Sequence, residues 1–223
     1  MSPGDHTPLV AGQRLDRATF HDRYEQMPPD VWAELIGGVV HISSRVGFAH
    51  GEIHAALAYW VATFQKDTPG VRGAIRSSTF LDDLAEPQPD VSLHMLPECG
   101  GQTRLEGEYL AGPPELIVEV AQSSLEVDLG PRLRDYERTG VREYVVVAIE
   151  LDEVFWFARR DDLFTRLEPD GEGLFHSDIF PGLWLDAEAL YRRDFNRLDA
   201  ALGRGLASAE HAEFVERLAR ARG

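Results

Sequence analysis

The run Leu116-Ile117-Val118-Glu119-Val120-Ala121 sets one carboxylate among five apolar residues. Apolar side chains on both faces of a strand mark it as central and covered on both sides. Side chains alternate across a strand, so Ile117, Glu119 and Ala121 share one face, and Leu116, Val118 and Val120 share the other. A carboxylate in that position is costly unless a cation or hydrogen bonds compensate it. Two partners satisfy this requirement, a paired arginine or a metal ion.

Working outward, Pro-Asp occurs at Pro29, Pro89 and Pro169, so the dipeptide alone carries no information. Only Pro89-Asp90 opens an alternation, with Val91, Leu93 and Met95 apolar and Ser92 and His94 between them. Asp90 therefore begins a strand on the face of Ser92 and His94, where a preceding proline is tolerated. Its alternative role is a turn aspartate capping the start of the strand. Two carboxylates on adjacent strands make an oxygen-rich site suited to Mg2+ or Mn2+.

The remaining elements follow from periodicity and punctuation. Gly130-Pro131 opens a helix that Gly140 closes. Tyr144 to Ile149 reads as a buried strand, Glu150 to Glu153 as a turn, and Val154 to Phe157 as its antiparallel return. Upstream, Asp16 caps a short helix in which Phe20 and Tyr24 share a face, and Pro28-Pro29 ends it. Residues 34–40 read as strand, glycine turn, strand. From Gly51 to Gln65, Ile53, Ala56, Leu57, Trp60, Val61 and Phe64 form one helical stripe. Strands are expected near 73–81 and 90–96, then a glycine-rich loop from Glu98 to Gln102. A last helix runs from Ser208 to Arg222 with Phe214, Val215 and Leu218 inward. No internal repeat or linker interrupts this order. The expected layout is a flexible tail over 1–14, one domain over 15–193, and a helical extension over 194–223.

A chain of 223 residues, 43% hydrophobic, can bury a sizeable core. Cys99 is the single cysteine, which excludes an intrachain disulfide and a cysteine zinc site. No apolar run approaches the roughly 20 residues of a membrane span, and no signal pattern opens the chain. A cytoplasmic setting is expected. Acidic residues outnumber basic ones 38 to 22, a net charge of −16 that opposes tight nucleic-acid binding. A metal ion, or Arg72, Arg76 and Arg132, can reverse that field locally.

The segments ELIGGVV (34–40), HGEIHAAL (50–57), PDVSL (89–93), LIVEVAQSSLEVDLGPRLRDYERTGVREYVVV (116–147) and PGLWLDAEAL (181–190) carry a family resemblance. Over roughly residues 15–192 the chain resembles the Uma-type restriction-endonuclease family of the PD-(D/E)XK nuclease superfamily. The resemblance implies an α/β (α+β) fold, a restriction-endonuclease-like mixed β-sheet flanked by helices. It implies metal-dependent hydrolysis of DNA phosphodiesters, with Mg2+ or Mn2+ held by Asp90, Glu119 and the Val120 carbonyl. Glu34 would be the further acid, DNA the substrate, and a homodimer the assembly.

One departure matters. The superfamily's lysine falls two residues after the glutamate, where this chain has Ala121. The family's substitute position on the next helix holds Arg132, whose pKa above about 12 prevents it from accepting a proton. Arg132 is then either a solvated first-turn residue or a group that orients water or stabilises charge on phosphate. Gln122 is a further candidate for placing water, and His50 a secondary site residue. His54 reads as a surface histidine, while Ser124 and Asp128 shape the turn before the helix. No GxSxG elbow or Walker-type loop is present, and Gly100 to Arg104 is a loop without a phosphate cradle. The missing lysine keeps a second reading open, a catalytically weakened scaffold that acts as a dimeric binding module.

Overall fold

The computed structural model describes residues 7–43 and 46–223. Helix α1 (Arg17–Tyr24) is capped by Asp16, whose Oδ1 accepts from Thr19 N at 2.8 Å. Strands β1 (Ala33–Ile36) and β2 (Val39–Ile42) form a hairpin. Positive φ at both Gly37 and Gly38 gives its two-residue turn the twist the flanking strands require. Helix α2 (Phe48–Asp67) follows, then β3 (Val71–Ala74), β4 (Thr79–Phe80), β5 (Val91–Met95), β6 (Arg104–Glu106), β7 (Tyr109–Ala111) and β8 (Leu116–Ala121). Helices α3 (Leu125–Val127) and α4 (Leu133–Thr139) lead to β9 (Glu143–Ala148), β10 (Glu153–Arg160) and β11 (Leu163–Leu167). The chain ends with β12 (Leu174–His176), β13 (Trp184–Asp186), α5 (Ala187–Arg192), α6 (Phe195–Leu206) and α7 (Ala209–Arg222).

Six strands form the main sheet in the order β11-β10-β9-β8-β5-β3. Only β8 and β9 run parallel; the other neighbours are antiparallel, so the sheet is mixed. This is the α+β architecture of a mixed sheet flanked by helices.

β8 lies inside the sheet with all six residues buried, as its composition requires. Leu116, Val118 and Val120 join Trp60 of α2 and Trp156 of β10 in the large core. Ile117 and Ala121 join Tyr136, Tyr144 and Val146 in a smaller cluster under α4. Burying one such aliphatic side chain contributes about 1.5–3 kcal/mol. Glu119 therefore points toward the α4 side.

Several boundaries differ from those expected. Residues 1–6 of the expected tail lie outside the described residues. Leu9 is buried, and the backbone of Gly12 and Leu15 bonds to Val40 and Gly38 of the hairpin. The strand expected over 73–81 breaks into β3 and β4, because Arg76 takes a left-handed φ of 49°. Helical turns begin at Leu125, before Gly130-Pro131. Proline lacks the N–H and crowds the carbonyl four residues back, so Asp128–Arg132 widens into a π-type turn with Gly130 non-helical. Helix α6, inside the stretch expected as a helical extension, is capped by Asp194 and buries Leu198 and Leu202 in the main core with Phe214 and Leu218 of α7. No helix among the described residues is long and apolar enough to cross a membrane.

Glu143, at the start of β9, is buried and ties down the loop before β13. It accepts from Ser177 Oγ at 2.6 Å, Asp178 N at 2.7 Å and Ile179 N at 3.3 Å. Burial outweighs these bonds and pushes its pKa from the ordinary 4.5 up to about 7. The folded chain then holds a proton that the unfolded chain has released between those values, so this residue's contribution to stability declines as pH rises from 4.5 to 7. At 1.36 kcal/mol per pH unit the loss is about 3 kcal/mol. Glu143→Gln should flatten the urea midpoint across that window relative to wild type; parallel profiles would refute the assignment.

Candidate active site

Strand β8 brings Glu119 beside Asp90 at the start of β5, through the register Val91 opposite Val118. The two acids are joined reciprocally: Val120 N donates to Asp90 Oδ2 at 2.9 Å, and Asp90 N donates to Glu119 Oε2 at 3.3 Å. Both residues are buried, at 8% and 5% exposure, yet both line an open cleft of about 290 Å³. The carboxylates expected on adjacent strands thus open on one cleft.

Glu34 arrives on β1. The bridge between Leu35 and Glu86 docks the hairpin on the segment before Asp90, and Gln88 N donates to Glu34 Oε1 at 2.7 Å. Arg132 joins these acids. Its Nη1 donates to Glu119 Oε1 at 2.7 Å and Glu34 Oε1 at 3.1 Å, and its Nη2 donates to Glu34 Oε2 at 2.8 Å. Its Nε lies 3.0 Å from Asp128 Oδ1. Tyr136 OH adds a bond to Glu119 Oε1 at 2.8 Å. Arg132 is buried, so it is no solvated first-turn residue; its fork is occupied by carboxylates.

Asp128, Tyr136 and His54 belong to this cluster although the sequence reading gave them no such place. Ser124 Oγ donates to Asp128 Oδ2 at 2.6 Å, which orients the acid toward Arg132. Spacing was the signal: Asp128, Arg132 and Tyr136 follow at i, i+4, i+8. His54, on α2, donates from Nε2 to the Asp90 carbonyl at 2.8 Å and is half-buried, so it is not a free surface histidine. His50 Nε2 lies 3.5 Å from Asp90 Oδ2. Gln122 lines the cleft. Arg76 reaches to 4.0 Å from Asp90 Oδ1, and its guanidinium lies over the Trp32 ring at 4.3 Å.

The charges do not balance. Glu34, Asp90, Glu119 and Asp128 face one buried guanidinium, that of Arg132, with Arg76 at the edge. Burial pushes Glu119 well up from the carboxylate range against Arg132, and Asp90, Glu34 and Asp128 add to the rise. Burial likewise raises Asp128 against the pull of Arg132. Burial alone would lower Arg132, but Glu119 and Glu34 more than offset it, so the guanidinium stays charged. Asp90 is also pushed up by burial, yet His50 and the Val120 N–H leave its carboxyl below the ordinary value.

A divalent cation fits this donor set. Among the described residues Asp90 Oδ1 has no hydrogen bond, and Glu119 Oε2 has only the 3.3 Å contact from Asp90 N. Among the described residues no three His, Cys, Asp or Glu side chains form a ready-made cage. Magnesium needs none, since it is commonly bound through one or two carboxylates, with water and substrate phosphate completing its shell.

A mixed sheet carrying an acid pair at an open cleft defines a nuclease-fold protein. Residues 20–188 match the Uma2 family, described as "Putative restriction endonuclease", and the chain belongs to that family. Its fold resembles the crystal structure of a "putative nuclease belonging to DUF820" from Anabaena variabilis. That match has a TM-score of 0.60 at 18% identity and covers 77% of this chain and 96% of the other. No curated protein matches the chain.

Removing Arg132 strands three carboxylates. Arg132→Ala should cost about 3–5 kcal/mol near neutral pH. The loss should shrink toward about pH 5, because unpaired buried acids take up protons and neutral acids need no guanidinium. Urea unfolding at both pH values checks this; a loss independent of pH would contradict the carboxylate cage.

Proposed function

We propose that this chain is a divalent-metal-dependent endonuclease acting on DNA phosphodiesters. The observation that carries the reading is the convergence of Asp90 and Glu119 at one open cleft with more acid than the local cations offset. Asp90, Glu119 and the Val120 carbonyl would hold the ion. Bound there, it would supply Lewis-acid stabilisation of charge on the phosphate and lower the pKa of water.

The protein's own groups divide the remaining work. Arg132 holds Glu34, Glu119 and Asp128 in place and acts as a positioning residue. Arg76 takes the phosphate-binding role: its Nε is buried without a partner, and its guanidinium stands at the cleft beside Asp90. A planar fork of donors matches the oxygens of a phosphodiester. His50 and His54 fix Asp90 from its side chain and its backbone. Gln122, in the cleft wall, offers its amide to the attacking water.

With Mg2+ or Mn2+, the purified chain should cut supercoiled plasmid, single-stranded circles or oligonucleotides, and Asp90→Ala should lower the rate at least about a hundredfold, the scale of a lost electrostatic or acid–base group. Glu119→Ala should abolish calorimetric metal binding. Arg76→Ala should lower cleavage while leaving metal binding intact. No cleavage above the Asp90→Ala control on any DNA form would refute the enzyme reading. The engagement of Arg132 with Glu119 favours the second reading, a binding module without catalysis; DNA binding unchanged by chelator, with no cleavage, would select it.

A further inference from the structure

A second concavity, of about 640 Å³, opens along the β3–β5 edge of the sheet. Arg72, Ala74, His94, Leu96 and Leu105 line it, and Glu108 is the carboxylate in its wall. β5 connects it to the acid cluster, because Asp90 and His94 lie on the same strand face. Four residues at about 3.3 Å each separate them by roughly 13 Å. β3 repeats the spacing in arginines. Arg72 pairs with His94 in the register, while Arg76 bonds through its backbone N to Pro89 O beside Asp90.

We propose that this groove is a nucleotide subsite for single-stranded DNA, receiving an unstacked base and its phosphate from the strand that crosses Asp90 and Glu119. The inference rests on reading that cleft as a nuclease site. Among the described residues the Arg72 guanidinium has no ion pair or hydrogen bond, which leaves it free for a phosphate. His94 Nδ1 is buried without a partner. Burial, then the field of Arg72, lowers the His94 pKa, so the ring is neutral at neutral pH and presents its other nitrogen to the groove. Leu96, Leu110 and the 76%-exposed Leu105 supply apolar wall for the flat face of a base.

The occupant is an unpaired strand for two reasons. A base stacked and paired in a duplex cannot lay its flat face against the wall of a groove. A chain of net charge −16 with few free arginines also makes few of the phosphate contacts on which duplex affinity depends. Stacking and burial of a base act without such contacts. The separation of roughly 13 Å corresponds to three or four stacked nucleotides at about 3.4 Å each.

The test uses fluorescence anisotropy on the full chain carrying Asp90→Ala, with a short labelled oligothymidylate, the matching duplex and the matching RNA strand. Arg72→Glu, Leu105→Asp and Ala74→Trp are added singly, with a thermal melt of each. Leu105 and Arg72 are exposed, so those two variants keep the fold even if Ala74→Trp does not. Each folded variant should weaken the single DNA strand by about tenfold, the loss of one stacked base. Wild-type affinity in the exposed variants, equal binding of the duplex, or tighter binding of RNA would each overturn the proposal. Hydrolysis of bis(p-nitrophenyl) phosphate, too small to span both places, should be unaffected by the three substitutions in the chain with Asp90 intact. No such hydrolysis, with strand binding still groove-dependent, would support the groove and overturn the cleavage reading instead.

Discussion

Arg132 joins three parts of the chain that are far apart in sequence. Its guanidinium reaches Glu34 on the β1–β2 hairpin, Glu119 on the central strand and Asp128 in the broken helix. The hairpin packs through a small cluster of its own, around Phe20, Leu35 and Val40. Its orientation over the sheet therefore leans on the pair with Glu34 and on the backbone bridge to Glu86. Each acid alone would be a costly buried charge; together around one fork they are mutually compensated to within the excess that a cation would meet. This gives the wide turn over Asp128–Arg132 its purpose. Gly130 and Pro131 interrupt the regular ladder, and the interruption sets Asp128 and Arg132 against the acid pair.

The sheet holds the cluster rigid. β8 is hydrogen-bonded on both sides and covered on both faces, so Glu119 cannot retreat to water without unfolding its surroundings. Asp90 is fixed by the Val120 N–H at one end of its side chain and by His54 at its carbonyl. Donors from β8 and α2 hold Asp90, and the backbone N–H groups of Gln88 and Asp90 hold Glu34 and Glu119, so the acids keep narrow positions. Arg76, Gln88, Asp90 and the segment 122–124 are parts of the cleft wall that lie outside regular structure.

Much of this was legible from periodicity. A charge in the middle of an apolar run can be read from one sequence because alternation fixes its face and burial fixes its cost. Asp90 could be read for the same reason, once the alternation after it separated it from two other Pro-Asp pairs. Glu34 was not legible from the residues alone; it came from the resemblance, since nothing local says that the hairpin docks on the strand before Asp90. Asp128 and Tyr136 were hidden because Pro131 was read as a helix start, which put Asp128 in a turn and removed the i, i+4 relation to Arg132. The break at Arg76 was equally hidden, since arginine has no special preference for the left-handed region that it occupies. Glu34 and Arg76 meet the site through distant or irregular backbone that leaves no period to read, whereas the spacing of Asp128, Arg132 and Tyr136 was present and masked by Pro131.

The arginine at the lysine position changes how the chemistry must be distributed. A lysine presents one compact ammonium and can be tuned to exchange a proton; an arginine presents a fixed planar fork and keeps its charge. At this position the fork meets Glu34 with both terminal nitrogens and Glu119 with one of them, an arrangement that a single ammonium cannot reproduce. Arg132 is thus suited to holding acids at fixed spacing and poorly placed to take a further anion, since its terminal nitrogens bond Glu34 and Glu119 and its Nε faces Asp128. On the proposed reading a phosphate would find its cation elsewhere, and Arg76 lines the cleft with its Nε unpaired and no buried carboxylate bonded to its fork. Its place over the Trp32 ring restrains the guanidinium without using its hydrogen bonds, which leaves the fork available to an anion. On the proposed reading the two tasks are separate: Arg132 keeps the acids in register, and Arg76, just beyond the edge strand β3, would face the substrate.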